Sequence, residues 1–328
     1  MIFKKKALIL SALVAALALA NILTFVFDPG KPRSSSFAWL DPSLLGAADR
    51  IEIFGRADAD GNRLVFVRKN NRWVFPAEAG GLPGRELPGR ELPVKQARVE
   101  DLLSALSLKA AYPRRAASSE ARSALALEEG RSSRILVRGG AGLPLLDLLI
   151  GTADALGREV YFRKAGQSEI YSGEDLFTVY TESKSSSWYD LRLFSSEGGI
   201  PGDAVQQAEV KFYNEDEGKT SFMLRRQRGG WFMPGNESSV VDSQRVEAWL
   251  RNILEAEAED FGFDTPDNPE RSITLRLGDG SSRIILIGAE NESKRWNVSL
   301  SNSDLVYMLP EWTMNRLFRE QPYFIMEQ

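Results

Sequence analysis

The feature that most restricts the fold is an uncharged apolar run from Ala7 to Phe27. Within it only Ser11, Asn21 and Thr24 are polar. As a helix, a run of this length rises about 31 Å, which matches the roughly 30 Å hydrocarbon core of a bilayer. The run therefore predicts a transmembrane helix. Because Lys4-Lys5-Lys6 precedes it, the positive-inside rule places the N-terminus in the cytoplasm and the rest of the chain outside.

A cleaved signal peptide is the alternative interpretation of the same segment. Ala18-Leu19-Ala20 is a small-x-small site at a suitable distance from the lysines, and cleavage would follow Ala20. Apolar sequence nevertheless continues to Phe27, which a mature N-terminus would not need. We therefore expect a single-pass protein of the cytoplasmic membrane whose body is extracytoplasmic, either periplasmic or extracellular. Cleavage would change the attachment and leave the body on the same side.

The chain contains neither cysteine nor histidine. This absence excludes Ser-His-Asp triads, thiol nucleophiles, disulfides and cysteine- or histidine-bound zinc. Removing the three N-terminal lysines from 41 basic residues leaves 38, against 45 acidic residues. A body with that balance lacks the excess positive charge of a nucleic-acid-binding protein. We therefore predict no nucleic-acid partner and no cofactor.

Beyond the N-terminal region the chain repeats itself, with a period of roughly 140–150 residues. In each half, alternating strand patterns end in an aromatic strand that a proline terminates, at Trp73-Val74-Phe75-Pro76 and at Trp231-Phe232-Met233-Pro234. A helix pattern follows each of these strands, beginning at Val94 and at Val241. Both patterns carry Val, Arg, Val, Glu and Leu at the same spacing. The second helix should begin after an N-cap at Asp242 or the residue that follows it.

These patterns predict an α+β fold class, with an N-terminal transmembrane helix followed by two tandem copies of an antiparallel-sheet-plus-helix domain. The predicted segments are a cytoplasmic stub and transmembrane anchor at 1–27, a spacer at 28–48, the first α+β repeat at 49–194, a linker at 195–205 and the second α+β repeat at 206–328.

Candidate catalytic groups in the body each have a structural explanation. Glu255 and Glu259 pair at i, i+4, but they fit a solvated acidic face. Gly218-Lys219-Thr220 resembles the end of a P-loop, yet it lies in a predicted hairpin. Lys184 lies among serines as in a Ser/Lys dyad, although a catalytic lysine must be desolvated. We therefore assign no catalytic, cofactor-binding or metal-ligating residue.

Trp73 and Trp231 occupy the same position in the two repeats. Packing of their strands against a core is the expected role. A tryptophan exposed in a groove would instead offer a stacking surface to sugars, so the exposure of the seven tryptophans bears directly on carbohydrate binding.

The combination of these features resembles a known bacterial family. The features are the N-terminal helix, the Trp-x-x-Pro hairpins, the Arg-Val-Glu helices, Phe261-Gly262-Phe263-Asp264, and strands ending in Ile150-Gly151 and Ile287-Gly288. Over about residues 49–325 the chain resembles a membrane-anchored family labelled as a domain of unknown function, whose members are encoded beside gliding-motility-type ABC transporters. The first repeat departs from the pattern at Ala124-Leu125-Ala126-Leu127. The resemblance implies an accessory role and supplies no catalytic residues.

Three functional hypotheses follow. The leading one is a non-enzymatic extracytoplasmic accessory subunit of an ABC-type transport or cell-envelope system. It would act by protein–protein interaction with an ABC permease, its ATPase or an auxiliary membrane subunit. The alternative is a module that binds envelope polysaccharide or peptidoglycan. The second alternative is a histidine-free hydrolase that uses carboxylates or a Ser/Lys pair.

Overall fold

The computed structural model describes residues 34–56, 63–76, 91–194, 199–214, 218–236, 238–262, 265–266, 269, 271–301 and 303–326. Most of the regular structure in these residues is β-strand, arranged in two sheets. Every strand pairing with a stated register is antiparallel.

The larger sheet contains ten strands in the order β1-β6-β10-β9-β8-β7-β2-β3-β4-β5. The strands are β1 Ser34–Phe37, β2 Ala48–Phe54, β3 Arg63–Lys69, β4 Arg72–Phe75, β5 Leu92–Pro93, β6 Ala110–Ala116, β7 Ser133–Gly139, β8 Pro144–Ala153, β9 Val160–Lys164 and β10 Ile170–Gly173.

The smaller sheet contains eight strands in the order β13-β12-β11-β15-β16-β17-β18-β14. The strands are β11 Val205–Asn214, β12 Gly218–Gln227, β13 Gly230–Phe232, β14 Asp260–Gly262, β15 Arg271–Leu277, β16 Ser282–Glu290, β17 Arg295–Leu300 and β18 Val306–Pro310. The α-helices are α1 Gln96–Ser107, α2 Ser119–Ala124, α3 Thr178–Thr181, α4 Ser243–Leu254 and α5 Glu311–Leu317.

The described residues group into two compact units that draw on both halves of the chain. Unit 1 takes the described residues up to Ala48, with Glu52–Arg63 and Leu102–Glu182. Unit 2 takes Asp49–Ile51, Leu64–Asp101 and Ser183–Gln328.

The predicted fold class is wrong. In place of a transmembrane helix followed by two tandem sheet-plus-helix domains, the described chain is mostly antiparallel sheet, and its units interleave along the sequence. Residues of the first half complete the core of unit 2, because Phe75 and Leu92 pack in one cluster with Tyr189 and Phe261. Strand and helix patterns are local in sequence, so they could not reveal that residues of the first half pack in the core of unit 2.

The predicted transmembrane segment, Ala7–Phe27, lies outside the described residues. None of the helices that the structure does describe is long and apolar enough to cross a membrane. The boundaries proposed for the anchor, the spacer and the two repeats stay predictions.

Two chain segments dock in the same way at the N-termini of α1 and α4. One short 3-10 helix ends at Trp188, whose carbonyl accepts a hydrogen bond from the backbone N–H of Lys95 at 2.8 Å. Another ends at Phe324, whose carbonyl accepts the backbone N–H of Asp242 at 2.8 Å. Trp188 and Phe324 are both fully buried. Each docked segment therefore fixes the N-terminus of α1 or of α4 and places a large ring in the core.

The predicted N-cap of α4 is confirmed at Asp242. Its carboxylate accepts the backbone N–H groups of Gln244 at 3.0 Å and of Arg245 at 3.1 Å. These are two of the donors that an α-helix leaves without an internal partner at its N-terminus.

Replacing Asp242 with Ala should therefore lower the free energy of unfolding by about 1 kcal/mol, because two backbone donors lose their acceptor. Urea denaturation followed by circular dichroism measures the change. Asp242→Asn is the matched control, since an asparagine N-cap is nearly as effective. Equal losses in the two variants would contradict a capping role.

Candidate functional site

A cavity of about 510 Å³ lies beside the C-terminal half of α4 in unit 2. Most of its lining residues are charged and carry both signs, namely Arg192, Asp203, Arg226, Glu247, Arg251 and Glu255. The others are Gly199, Ile200 and Gly202 of the segment before β11, and Leu254 of α4. The size of the cavity lies within the range of small-molecule sites.

Arg226 forms a rigid wall of this cavity. Its Nε and Nη2 groups donate to the carbonyls of Val205 and Gly202 at 3.0 and 3.1 Å. Its Nη1 group lies 2.9 Å from a carboxylate oxygen of Glu247, and its guanidinium carbon lies 4.6 Å from the centre of the Trp231 ring. The same Glu247 oxygen accepts the indole N–H of Trp231 at 2.7 Å. These contacts tie β12 and β13 to α4 and to the start of β11.

Arg192 forms a second fixed wall. Its Nε and Nη2 groups donate to the two oxygens of the buried Asp190 carboxylate at 2.8 and 2.6 Å. Hydrogen bonding to Asp190 raises the pKa of the Arg192 guanidinium above its ordinary value. The two-point geometry orients the guanidinium as well as pairing its charge.

The remaining charged groups of the cavity are exposed. Arg251, in the last turn of α4, makes no ion pair with any residue that the structure describes. Asp203 and Glu255 are likewise exposed to solvent. The cavity therefore offers a ligand both donors and acceptors, and the contacts of Arg226 hold the elements around it together.

The acidic residues that follow α4, including the predicted pair Glu255 and Glu259, do not converge on one site. Glu255 lines the cavity, Glu257 pairs with Lys95 at 3.3 Å, and Glu259 pairs with Arg295 at 2.8 Å. Within the described part of the chain, no group of three or more acidic side chains has an arrangement that could hold a metal ion.

The other sequence candidates have structural roles. Lys184 is exposed, and its backbone carbonyl accepts the hydroxyl of Ser187 at 2.7 Å. The stretch Gly218-Lys219-Thr220 begins β12, paired with β11, so the hairpin interpretation is confirmed.

Trp73 and Trp231 are buried, and both are held by the first residue of the helix that follows them. Gln96 of α1 accepts the backbone N–H of Trp73 at 2.8 Å, and Ser243 of α4 accepts that of Trp231 at 2.9 Å. The core-packing interpretation of both tryptophans is confirmed.

Trp312 behaves differently, because 57% of it is exposed, whereas the other six tryptophans are at most 8% exposed. It lies on α5, and the guanidinium of Arg316, one turn further on, lies 5.9 Å from its ring centre. The helical periodicity of α5 could have predicted this exposure from the sequence, because Met314 and Leu317 are buried and Trp312 falls on the opposite face of the helix.

Two further arginines, Arg245 in the first turn of α4 and Arg319 just after α5, lie near one tyrosine ring. The guanidiniums of Arg245 and Arg319 lie 5.8 and 4.9 Å from the ring centre of Tyr323. Arg245 is paired with Asp242 at 3.2 Å, whereas Arg319 makes no ion pair with a described residue. We name this surface the arginine–aromatic strip; it consists of Arg245, Trp312, Arg316, Arg319 and Tyr323. Contacts of Arg316 with Asn252 and of Arg245 with the Tyr323 carbonyl fix it to α4.

Comparison with known proteins gives one match. A family model described as a domain of unknown function, DUF4340, matches residues 87–272, more than half of the chain. No curated protein and no solved structure is significantly similar to the chain. The matched region contains α1, α4 and every residue that lines the cavity.

Proposed function

Because the chain belongs to the DUF4340 family of unknown function, we propose that it is a non-enzymatic accessory subunit of an ABC-type transport or cell-envelope system. It acts by protein–protein interaction with an ABC permease, its ATPase or an auxiliary membrane subunit. In this proposal the run from Ala7 to Phe27 anchors the chain in the cytoplasmic membrane, and the body lies outside the cytoplasm.

The arginine–aromatic strip is the observation that supports this proposal. Tryptophan, tyrosine and arginine are the residues most enriched at the energetic centres of protein interfaces. Trp312 has a large ring that is 57% exposed, and folding leaves most of that ring in contact with water. A partner that covers the ring would gain both its apolar area and the nearby guanidinium of Arg316.

Purification from solubilised membranes tests the proposal. The tagged full chain, extracted in a mild detergent, should retain an ABC permease or ATPase that mass spectrometry identifies. Trp312→Ala should lower that recovery about 10-fold or more, as expected for truncation of an interface centre. Leu156→Ala is the matched control, because Leu156 is 67% exposed and belongs to unit 1, whereas the residues of the strip belong to unit 2.

Two results would count against the proposal at different levels. Recovery of neither an ABC permease nor an ATPase with the unaltered chain would contradict the accessory role itself. Equal recovery with Trp312→Ala and with Leu156→Ala would remove the strip from the interface.

The exposure of Trp312 also favours a second function, the binding of envelope polysaccharide or peptidoglycan. An exposed indole beside a hydrogen-bonding arginine is a suitable surface for stacking on a sugar ring. Sedimentation of the purified chain with isolated cell-wall material tests this function. Binding that Trp312→Ala abolishes, in the absence of any protein partner, would favour the carbohydrate function over the accessory one.

A further inference from the structure

In the smaller sheet, β12 is a long strand that has no neighbouring strand among the described residues along most of one side. We call this side its open edge. β12 runs from Gly218 to Gln227 and pairs with β11 from Gly218 to Arg225. On its other side β13 pairs only with Arg225, Arg226 and Gln227. Within the described residues, no other strand and no loop backbone bonds to that side from Gly218 to Leu224.

The strands at the ends of the two sheets are all short. β13 and β14 each have three residues, β1 has four, and β5 has two, one of which is proline. Short edges and proline are common devices that prevent edge-to-edge pairing. The stretch from Gly218 to Leu224 has neither device, and Lys219 is its one charged residue.

The hairpin that joins β12 to β13 determines which backbone groups the open edge presents. Its loop has two residues, so Gln227 and Gly230 form the hydrogen-bonded pair that closes it. Because successive residues of a strand direct their N–H and C=O groups to opposite sides, the odd-numbered residues of β12 face outward. On the open part of the edge these residues are Lys219, Ser221 and Met223.

We propose that this edge pairs with the same edge of a second copy of the chain, antiparallel and with a two-fold axis at Ser221. In this register Ser221 faces the same residue of the second copy, and Lys219 falls opposite Met223. About six backbone hydrogen bonds would form between the copies, and the two eight-stranded sheets would become one continuous sheet.

Three properties of the edge favour a second copy as the occupant. Antiparallel pairing is self-complementary under a two-fold axis, so one edge supplies both sides of the interface. The register places no charge opposite a like charge, which would be destabilising. A slip by one residue would place Phe222 opposite Ser221, and the N–H and C=O groups of Phe222 point towards β11, so that register would lose the hydrogen bonds between the copies.

Strand addition of this size already occurs within the chain. The four residues Ser34–Phe37 form β1 solely by pairing with β6, with Ser34 opposite Pro113 and Phe37 opposite Ala110. The open part of β12 is longer than β1.

Disulfide cross-linking tests the pairing directly, because the chain contains no cysteine of its own. Ser221→Cys in the full chain, purified in mild detergent, places two thiols opposite each other within disulfide reach. Mild oxidation should convert most of the chain to a covalent dimer. Ser186→Cys, at another exposed serine, is the matched control and should remain monomeric under the same conditions.

A second pair of variants tests the hydrogen bonds. Ser221→Pro removes only an outward N–H group, so β12 keeps its bonds to β11. It should raise the dimer dissociation constant roughly 10- to 100-fold by light scattering, while the circular dichroism spectrum stays unchanged. Ser221→Thr should leave the dissociation constant within about twofold. A chain that is monomeric at about 100 µM, or a dimer unaffected by Ser221→Pro and not cross-linked by Ser221→Cys, would overturn the proposal.

Discussion

Gly151→Ala is expected to destabilise the protein by about 3 kcal/mol or more, the upper end of the range for overpacked cores. A methyl group at this position would lie 2.2 Å from the backbone carbonyl oxygen of Leu125 and 2.9 Å from Cγ of Leu127. Backbone cannot move aside as a flexible side chain can. The Leu125 carbonyl is also fixed, since it accepts the backbone N–H of Thr152 at 3.0 Å.

The second half of the chain provides a matched control for this substitution. Gly288 holds the corresponding Ile-Gly position within β16, and a methyl group there would lie 3.3 Å from Cβ of Pro266. A shift of a few tenths of an ångström relieves that contact, so Gly288→Ala should cost less than about 1 kcal/mol. Guanidinium denaturation of both variants measures the difference. Similar losses of stability in the two variants would show that the backbone at Leu125 moves to accommodate a methyl group at position 151.

Trp249→Ala is the other substitution with a large expected effect, a loss of about 3–5 kcal/mol in the free energy of unfolding. Trp249 is 1% exposed, and its ring lies 5.1 Å from that of Phe324. Its indole N–H donates to the carbonyl of Leu317 at 2.7 Å, which ties α4 to the end of α5. The alanine would leave a large cavity and an acceptor without its donor.

Trp312→Ala is the corresponding control, since it removes the same side chain from the surface of the neighbouring helix. Because 57% of Trp312 is exposed, its loss should change the free energy of unfolding by less than about 0.5 kcal/mol. Thermal and denaturant unfolding of the two variants gives the comparison. A loss at Trp312 as large as that at Trp249 would mean that its contacts on α5 are structural, and reduced partner recovery could then reflect misfolding.

The local elements of the chain were predictable, and particular residues show why. The helix patterns that begin near Val94 and Val241 form α1 and α4, because the spacing of apolar residues and the cap at Asp242 act within a few residues of each other. The hairpin of β11 and β12 was predictable for the same reason. The family assignment was also confirmed at the level of a domain of unknown function. The membrane anchor and the ABC-transporter setting stay proposals.

The candidate site was much less predictable. The acidic residues near Glu255 are adjacent in sequence, but their partners, Lys95 and Arg295, come from distant segments. Arg192, Arg226 and Arg251 carry no sequence motif, and only the packing of β12, α4 and the segment before β11 brings them to one cavity. Ion pairs across such distances depend on the folded geometry, which no local pattern encodes.

The sequence by itself therefore determined the local elements of this protein and the chemistry it lacks. Helix and strand periodicity arise from neighbouring residues, and the absence of cysteine and histidine holds in any fold. Only the tertiary structure decided which strands share a core, which tryptophan stays in water and which charges meet. The physical reason is that burial and ion pairing depend on residues far apart in the chain, as when Phe75 and Leu92 join the core of unit 2 and Trp312 alone among the tryptophans stays largely exposed.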